Sequence, residues 1–203
     1  MNWAFEHSFR VVSEDLIRFM EQQGSSIYSL PSADGIVLSI AQSEPGCCIA
    51  GGAALAIFTG EMDRIKDWDL FFTSGEAYYH TMRVLEARGF IATERSRFSQ
   101  TCVKRPATVQ LVHRKWYGMV DDIFADFDLS VCCVAISGPD ILWARGVDRH
   151  IRERKYDFGH TENAAACLRR VARYGQKGFF PSDRFVIDFL GAVESGLPIK
   201  DFY

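Results

Sequence analysis

The 203-residue sequence lacks several patterns that would assign it to a common class of site. Its six cysteines form no Cys-x-x-Cys pair and its five histidines have no metal-type spacing, so a structural zinc site is not indicated. Neither Gly-x-Gly-x-x-Gly nor Gly-x-x-x-x-Gly-Lys-Ser/Thr occurs, which argues against a Rossmann dinucleotide site and against a P-loop. No Ser-His-Asp or Cys-His grouping is recognisable, and Ser130 lies in an apolar run rather than at a nucleophile elbow.

The sequence also lacks a strong excess of either charge and any long apolar run. Its formal net charge is −3, which is not the overall electrostatics of a nucleic-acid coat protein. No segment approaches the roughly 18 consecutive apolar residues of a membrane span, and the N-terminus shows no leader pattern. The adjacent cysteines at 47–48 and 132–133 lie in apolar runs, as small buried thiols do. We therefore expect a cytoplasmic, reducing compartment and no membrane partner.

Hydrophobic periodicity predicts an α+β fold, in which helices flank a mixed β-sheet and a short helical segment follows at the C-terminal end. The predicted helices lie at 14–23, near 35–41, at 53–59, at 75–88, near 119–125, at 162–176 and at 182–194. The predicted strands lie at 47–50, 67–72, 90–95, 100–105, 108–114 and 128–136.

The stretch Asp-Trp-Asp-Leu-Phe-Phe at 67–72 places two acidic residues at the start of an apolar segment. Because side chains alternate along a strand, Asp67 and Asp69 share one face, with their Cα atoms about 7 Å apart. Two unpaired carboxylates at that separation repel by about 2–3 kcal/mol at an effective dielectric constant of about 20, and burial adds to the cost. A solvated edge strand would avoid this cost. A divalent cation would offset it, and oxygen ligands without histidine or cysteine suit Mg²⁺ or Mn²⁺.

Two adjacent glycines, Gly51 and Gly52, separate a predicted strand from a predicted helix. Glycine permits positive φ and lets the backbone approach a ligand closely, and the first N–H groups of a helix have no partner within it. A simple turn would use the same residues, so the glycines alone do not define a site. Followed about fifteen residues later by the acidic pair, they predict a triphosphate beside a metal.

These motifs, in this order, resemble those of the polymerase-β-like nucleotidyltransferases, and most of all the head domain of tRNA CCA-adding enzymes and bacterial poly(A) polymerases. The family's Gly-Gly-x-Val-Arg-Asp and Lys-Asp-x-Asp-Leu correspond to Gly-Gly-Ala-Ala-Leu-Ala at 51–56 and Lys-Asp-Trp-Asp-Leu at 66–70. Its Arg-Arg-Asp-Phe-Thr motif corresponds to the segment around Asp128, and its neck helix corresponds to the basic segment 167–179. The similarity covers roughly residues 45–180.

The resemblance implies a nucleotidyltransferase-like domain over 1–160 and a neck-like helical segment over 161–203. The metal-binding and catalytic carboxylates that it implies are Asp67, Asp69 and Asp128. The nucleotide contacts that it implies are Gly51, Gly52, Lys66, Arg169 and Arg173. It further implies that the protein uses Mg²⁺ or Mn²⁺ to transfer a nucleoside monophosphate from an NTP, such as ATP, to a hydroxyl on an RNA 3′ end, a protein or a small molecule, releasing pyrophosphate.

The sequence departs from this family at three places. Leu55-Ala56 replaces the Arg-Asp of the glycine motif, and Asp126-Phe127 replaces the two arginines before Asp128. Gln110 lies in a predicted strand where such enzymes often have an acidic residue, so the third carboxylate is Asp128, Asp126 or absent. The alternative hypothesis is therefore a catalytically degenerate nucleotide- or partner-binding protein of the same fold. The short chain resembles minimal stand-alone relatives encoded by phages or by defence and toxin systems.

The predicted helix at 162–176 and the residues just after it form a basic stripe. Arg169, Arg173 and Lys177 recur every four residues, so they share one helical face, which suits the phosphates of a nucleotide or of RNA. A solvated surface would show the same spacing. Tyr174 and Phe179 fit core packing better than base stacking. The sequence indicates no oligomeric state.

Overall fold

The computed structural model describes residues 32–198. The predicted helix at 14–23 lies outside these residues. Within them, the helices are α1 (Ser32–Ser43), α2 (Gly52–Phe58), α3 (Gly75–Ala87), α4 (Val120–Phe124), α5 (Val147–Arg152), α6 (Ala164–Gln176) and α7 (Asp183–Glu194). The strands are β1 (Cys47–Ala50), β2 (Trp68–Phe72), β3 (Ile91–Arg95), β4 (Ser99–Lys104), β5 (Ala107–Val112), β6 (Val134–Ser137), β7 (Asp140–Trp143), β8 (Lys155–Tyr156) and β9 (Phe180–Pro181).

A seven-stranded mixed sheet in the order β3-β4-β5-β2-β1-β6-β7 organises the fold. Only β2 and β5 pair in parallel, with Asp69 opposite Gln110, and the other neighbours are antiparallel. All four residues of β1, near the centre of the sheet, are buried. The predicted mixed sheet flanked by helices is confirmed. None of the helices in residues 32–198 is both long and apolar enough to cross a membrane.

The alternation of side chains along β2 gives the sheet two different faces. On one face, the Trp68 indole N–H donates to Asp34 of α1 at 2.6 Å, and the Phe72 ring lies 5.4 Å from that of Tyr78 in α3. On the other face, Phe71 packs edge-on against Phe127 at 5.9 Å. Asp69 shares the face of Phe71, so the acidic pair points away from α1 and α3.

The predicted strand at 128–136 is only partly correct. Residues Ser130–Cys132 form a 3-10 turn, and only Val134–Ser137 is extended. The backbone N–H of Ser130 donates to the Asp157 carbonyl at 3.0 Å, so this part of the chain pairs with the segment before α6 rather than with the large sheet. Local periodicity does not reveal this pairing, because the two segments are distant in sequence.

Four elements lie where the sequence pattern indicated none. Strand β7 forms a hairpin with β6, residues Val147–Arg152 form α5, and β8 pairs with β9 in parallel. Each is short, and hydrophobic periodicity is weak over so few residues. The predicted start of α3 is confirmed, since the Ser74 hydroxyl accepts the N–H of Ala77 at 3.1 Å.

Candidate active site

Asp67 and Asp69 lie at the start of β2, beside the diglycine. Because β1 and β2 are antiparallel with Ile49 opposite Leu70, the chain leaving β1 at Gly51 passes next to the beginning of β2. Asp69 lies opposite Gln110 of β5, whose side-chain amide is 3.4 Å from an Asp67 carboxylate oxygen. The fold thus brings the two predicted motifs to the same end of the sheet.

Asp69 is a partly buried carboxylate that the surrounding residues do not neutralise. Its pKa is raised to about 7, mainly by burial and also by the charge of Asp67, while Arg170 and Arg173 act in the opposite direction. Within residues 32–198, no lysine or arginine nitrogen lies within 4 Å of either carboxylate. The negative charge of the acidic pair is therefore not balanced by an ion pair within these residues.

The diglycine forms a close contact with the end of α6. Gly51 has φ 78° and ψ −133°, a conformation that favours glycine. A Cβ placed on Gly52 would lie 3.8 Å from the Tyr174 hydroxyl and 3.9 Å from Lys177 Nζ. The Lys177 ammonium lies over the Tyr174 ring at 4.9 Å, and burial lowers its pKa. A side chain at Gly52 would therefore fill the space between the backbone and a half-buried cation.

Asp128 is the most buried acidic side chain of this region, with 4% of its surface exposed. It accepts a charge-assisted hydrogen bond of 2.6 Å from the Arg170 guanidinium. Burial raises the pKa of Asp128, and the opposing effect of Arg170 is smaller. Within residues 32–198, no three histidine, cysteine, aspartate or glutamate side chains form a group that could hold a metal.

The site thus differs from the expected three-carboxylate arrangement. Asp128 is paired with Arg170, because a carboxylate this buried needs a cationic partner. The other candidate, Asp126, accepts hydrogen bonds from Lys115 at 2.9 Å and from the Tyr117 hydroxyl at 3.1 Å. The remaining carboxylates of the predicted site are Asp67 and Asp69, and their role as metal ligands stays a prediction.

A family sequence model described as "Gabija anti-defense 2 family protein" matches residues 16–164, which is well over half of the chain. The chain belongs to this family. It is 25% identical over 134 residues to "Gabija anti-defense 2" of Bacillus phage SPbetaL7, an alignment that covers 64% of this chain and 33% of that protein. The chain therefore spans about a third of the length of this curated relative of the Gabija anti-defense 2 family.

Solved structures show the fold of this Gabija anti-defense 2 family member. A Thermotoga maritima CCA-adding enzyme complexed with tRNA superposes with a TM-score of 0.66 at 12% identity, covering 91% of this chain and 46% of that one. A tRNA nucleotidyltransferase complexed with a primer tRNA and an incoming ATP analog gives a TM-score of 0.62 at 18% identity, covering 79% and 51%. The fold is that of the head domain of polymerase-β-like nucleotidyltransferases, as the motifs indicated.

In this Gabija anti-defense 2 family chain, the basic residues near the site are not the same set as the predicted stripe. Arg170 and Arg173 act electrostatically on Asp69, and Lys177 lies at the diglycine. Arg169 is exposed on the same helix, and Lys66 is exposed just before β2. The predicted roles of Arg169, Arg173 and Lys66 in nucleotide binding stay predictions. The contact between Arg170 and Asp128 was missed, because its two residues lie on separate elements.

A Ser-His-Asp cluster also escaped sequence analysis. The Ser130 hydroxyl lies 2.9 Å from His150 Nδ1, and His150 Nε2 lies 3.3 Å from Asp157. The same hydroxyl accepts the backbone N–H of Asp157 at 2.9 Å. Ser130 and His150 are only 5% and 9% exposed, so the cluster is closed to a substrate and instead fixes the turn that follows Asp128.

Proposed function

We propose that this chain binds a nucleoside triphosphate in the cleft between the acidic pair and α6, and transfers the nucleoside monophosphate to a hydroxyl acceptor. In this reaction an acceptor oxygen forms a bond to the α-phosphorus, the bond between the α-phosphorus and its bridging oxygen breaks, and pyrophosphate leaves. The acceptor proton is released to solvent. The nucleotidyltransferase fold supports the general kind of reaction, and the site residues provide the particular argument.

The observation that carries the proposal is the desolvated carboxylate of Asp69 beside that of Asp67, neither of which has an ion-pair partner within residues 32–198. Such a pair is costly in a folded protein unless a ligand supplies positive charge. Arg173 acts electrostatically on Asp69 and Lys177 lies beside Gly52, so both offer positive charge to an anion near the diglycine. A triphosphate with a divalent cation satisfies both halves of the cleft.

The donor set fits Mg²⁺ or Mn²⁺. Two carboxylates without histidine or cysteine suit a hard cation, which commonly completes its coordination with water and substrate phosphates. Asp67 and Asp69 would hold the ion. When bound, it would supply charge neutralisation on the phosphates and a lowered pKa for the acceptor hydroxyl. The chain's own cations, Arg173 and Lys177, would orient the triphosphate and stabilise the departing pyrophosphate.

The test is incubation of the full chain with each labelled NTP, Mg²⁺ or Mn²⁺, and a panel of RNA, protein and small-molecule acceptors. We expect label to move to one acceptor class, and Asp67→Asn and Asp69→Asn to abolish the transfer while nucleotide binding persists. Asp140→Asn, which removes an acidic side chain at the start of the edge strand β7, is the matched control. Transfer that survives both site substitutions would contradict the proposal.

The second candidate is nucleotide binding without turnover, and a specific observation favours it. Gln110 lies opposite Asp69, in the strand where the nucleotidyltransferases that the motifs resemble often have an acidic residue, and the described residues contain no third free carboxylate at the pair. This candidate predicts saturable NTP binding, measured by calorimetry, with no product for any acceptor. Detection of pyrophosphate release that depends on Asp67 would exclude it.

The family name suggests the purpose of the site. We propose that this chain counteracts the host defence called Gabija, and that the cleft is needed for this effect. Expression of the wild-type chain in a Gabija-carrying host should restore phage plating, whereas Asp67→Asn and Asp69→Asn should not. Equal restoration by the variants would separate the anti-defence effect from the cleft, whatever the outcome of the transfer assay.

A further inference from the structure

A second cleft, about 880 Å³ in volume, lies beside the carboxylate site. Its walls are the β3–β4 turn with Arg97 and Phe98, Arg114 after β5, the segment 160–163, and Arg170 of α6. The Arg170 guanidinium links this cleft to the carboxylate site, since Arg170 lines the cleft and donates a hydrogen bond to Asp128 at 2.6 Å. We call this second cleft the turn groove.

The turn groove opens on the same face of the sheet as the acidic pair. Gln110 lies opposite Asp69 in β5, Thr101 lies opposite Gln110 in β4, and Ser99 lies two residues further along β4. Because every second residue of a strand points to the same face, this row leads from the carboxylates towards the β3–β4 turn. A ligand in the turn groove could therefore extend to the site of the proposed reaction.

Phe98 stands at the rim of the turn groove, next to two guanidinium groups. Its side chain is 47% exposed, and its ring centroid lies 5.3 Å from Arg97 Cζ and 5.5 Å from Arg114 Cζ. Hydrogen bonds fix the turn that presents it: the Phe98 N–H donates to the Ser96 hydroxyl at 3.1 Å, and its carbonyl accepts the His113 N–H at 2.8 Å. An exposed, positioned aromatic ring among arginines suits a nucleobase with phosphates on either side.

The acidic residues of the turn groove do not oppose this assignment. Asp126 is paired with Lys115, and Glu162 is paired with Arg114. Arg97 has no carboxylate partner within residues 32–198, and its guanidinium contacts the Phe98 ring. The groove therefore offers at least one cation that is available to a phosphate.

We propose that the turn groove binds single-stranded nucleic acid, with a base stacked on Phe98 and a backbone phosphate at Arg97. This inference rests on the proposed function only in taking the bound strand to be the acceptor. The strand would run from the β3–β4 turn past Arg170 to the carboxylates. Because Asp67 and Asp69 do not line the turn groove, strand binding can be measured without nucleotide, without metal and without catalysis.

The test is fluorescence anisotropy of labelled 12-nucleotide RNA and DNA with the full chain, in the absence of NTP and divalent cations. We expect Phe98→Ala and Arg97→Ala to weaken binding by at least about fivefold, as loss of one stacked base does, and Phe98→Trp to retain it. The slope of log affinity against log salt concentration should be shallower for Arg97→Ala than for the wild type by about 0.7, which is the contribution of one phosphate contact on a single strand. Arg83→Ala, an exposed arginine on α3 behind the other face of the sheet, is the control and should bind as the wild type does.

Several outcomes would overturn the proposal. One is that Phe98→Ala and Arg97→Ala bind the strand with wild-type affinity. Another is that Arg83→Ala loses as much affinity as they do. A third is that the folded wild-type chain binds neither RNA nor DNA. Label transfer to a protein acceptor, together with absent strand binding, would assign the groove to a protein instead. The Asp67→Asn variant separates the two proposals: because it loses a negative charge, it should bind the strand at least as tightly as the wild type does, even if no transfer is ever detected.

Discussion

At the scale of single residues, Asp69 should reveal whether the cleft is built for a cation. Its pKa in the folded chain is about 7, against an ordinary value of 3.8. Between about pH 4 and pH 7 the folded state thus holds a proton that the unfolded state has lost, so stability falls as the pH rises through this window. The difference between these two pKa values corresponds to an upper bound of about 4 kcal/mol in unfolding free energy, and the partial exposure of Asp69 reduces it.

Asp69→Asn removes this penalty. In metal-free buffer we expect the variant to be more stable than the wild type above pH 7, by about 1–3 kcal/mol in unfolding free energy, and the two to converge near pH 4. Urea denaturation at a series of pH values measures the difference. A constant difference between pH 4 and pH 8 would show that the carboxylate titrates normally and that the pair is not strained.

The ion pair between Arg170 and the buried carboxylate of Asp128 should stabilise the fold. Arg170→Met leaves the carboxyl group of Asp128 buried without its cationic partner, so we expect a loss of about 1–3 kcal/mol in unfolding free energy at pH 7. Asp128→Asn in the same chain removes the stranded charge, so the double variant should recover part of the loss. Denaturation curves for the two single variants and the double variant form the thermodynamic cycle. Additive losses would mean that the two side chains do not depend on each other.

At the scale of elements, the end of α6 determines what the diglycine can bind. Lys177 Nζ lies near Gly52, and burial already lowers its pKa, so a phosphate there would restore a favourable partner. We expect Lys177→Met to weaken NTP binding by about tenfold, the effect of one charge-assisted contact. Calorimetric titration with NTP measures the loss.

Lys155→Met is the matched control for that experiment, since Lys155 is exposed in β8. It should leave the affinity unchanged. Lys177→Arg, which keeps the charge, should retain most of the binding. If Lys177→Met binds NTP normally, the triphosphate does not lie at the diglycine.

The elements also show which parts of the site local sequence can predict. The helix after Gly52 and the strand after Asp67 were predictable, because apolar periodicity and glycine breaks are properties of adjacent residues. Their meeting at one end of the sheet followed from family resemblance alone. The parallel pairing of Asp69 with Gln110 and the bond from Arg170 to Asp128 each join residues about 40 positions apart in sequence. Contacts of this kind depend on the packed fold, so sequence periodicity does not contain them.

At the scale of the whole molecule, a polar network holds α6 over the sheet. Glu61, which follows α2, accepts hydrogen bonds from Arg154 at 2.8 Å and from Arg64 at 3.3 Å. Arg64 also donates to the Lys177 carbonyl at 3.3 Å, and the Arg154 guanidinium lies over the Phe179 ring at 4.9 Å. The network joins the segment between α2 and β2 to the end of α6, so it connects two elements that border the proposed nucleotide site.

The proposed nucleotide site should respond to its ligand in global stability. At free concentrations about 100-fold above the dissociation constant, ligand binding adds about 2.7 kcal/mol to the unfolding free energy. For a chain of this size that corresponds to a rise of about 5–10 °C in Tm. We expect a non-hydrolysable NTP analogue with Mg²⁺ to produce such a shift in differential scanning fluorimetry, and the analogue with EDTA to produce less.

The variant that completes this measurement is the double substitution Asp67→Asn with Asp69→Asn. Without the two carboxylates, the analogue should give the same shift with Mg²⁺ as with EDTA, because the remaining contacts to Gly52, Arg173 and Lys177 do not involve the ion. A Mg²⁺-dependent shift that persists in the double variant would place the cation elsewhere in the chain. A wild-type chain that gains nothing from Mg²⁺ would leave the repulsion between the two carboxylates without a compensating ligand, and would remove the basis for metal-dependent transfer.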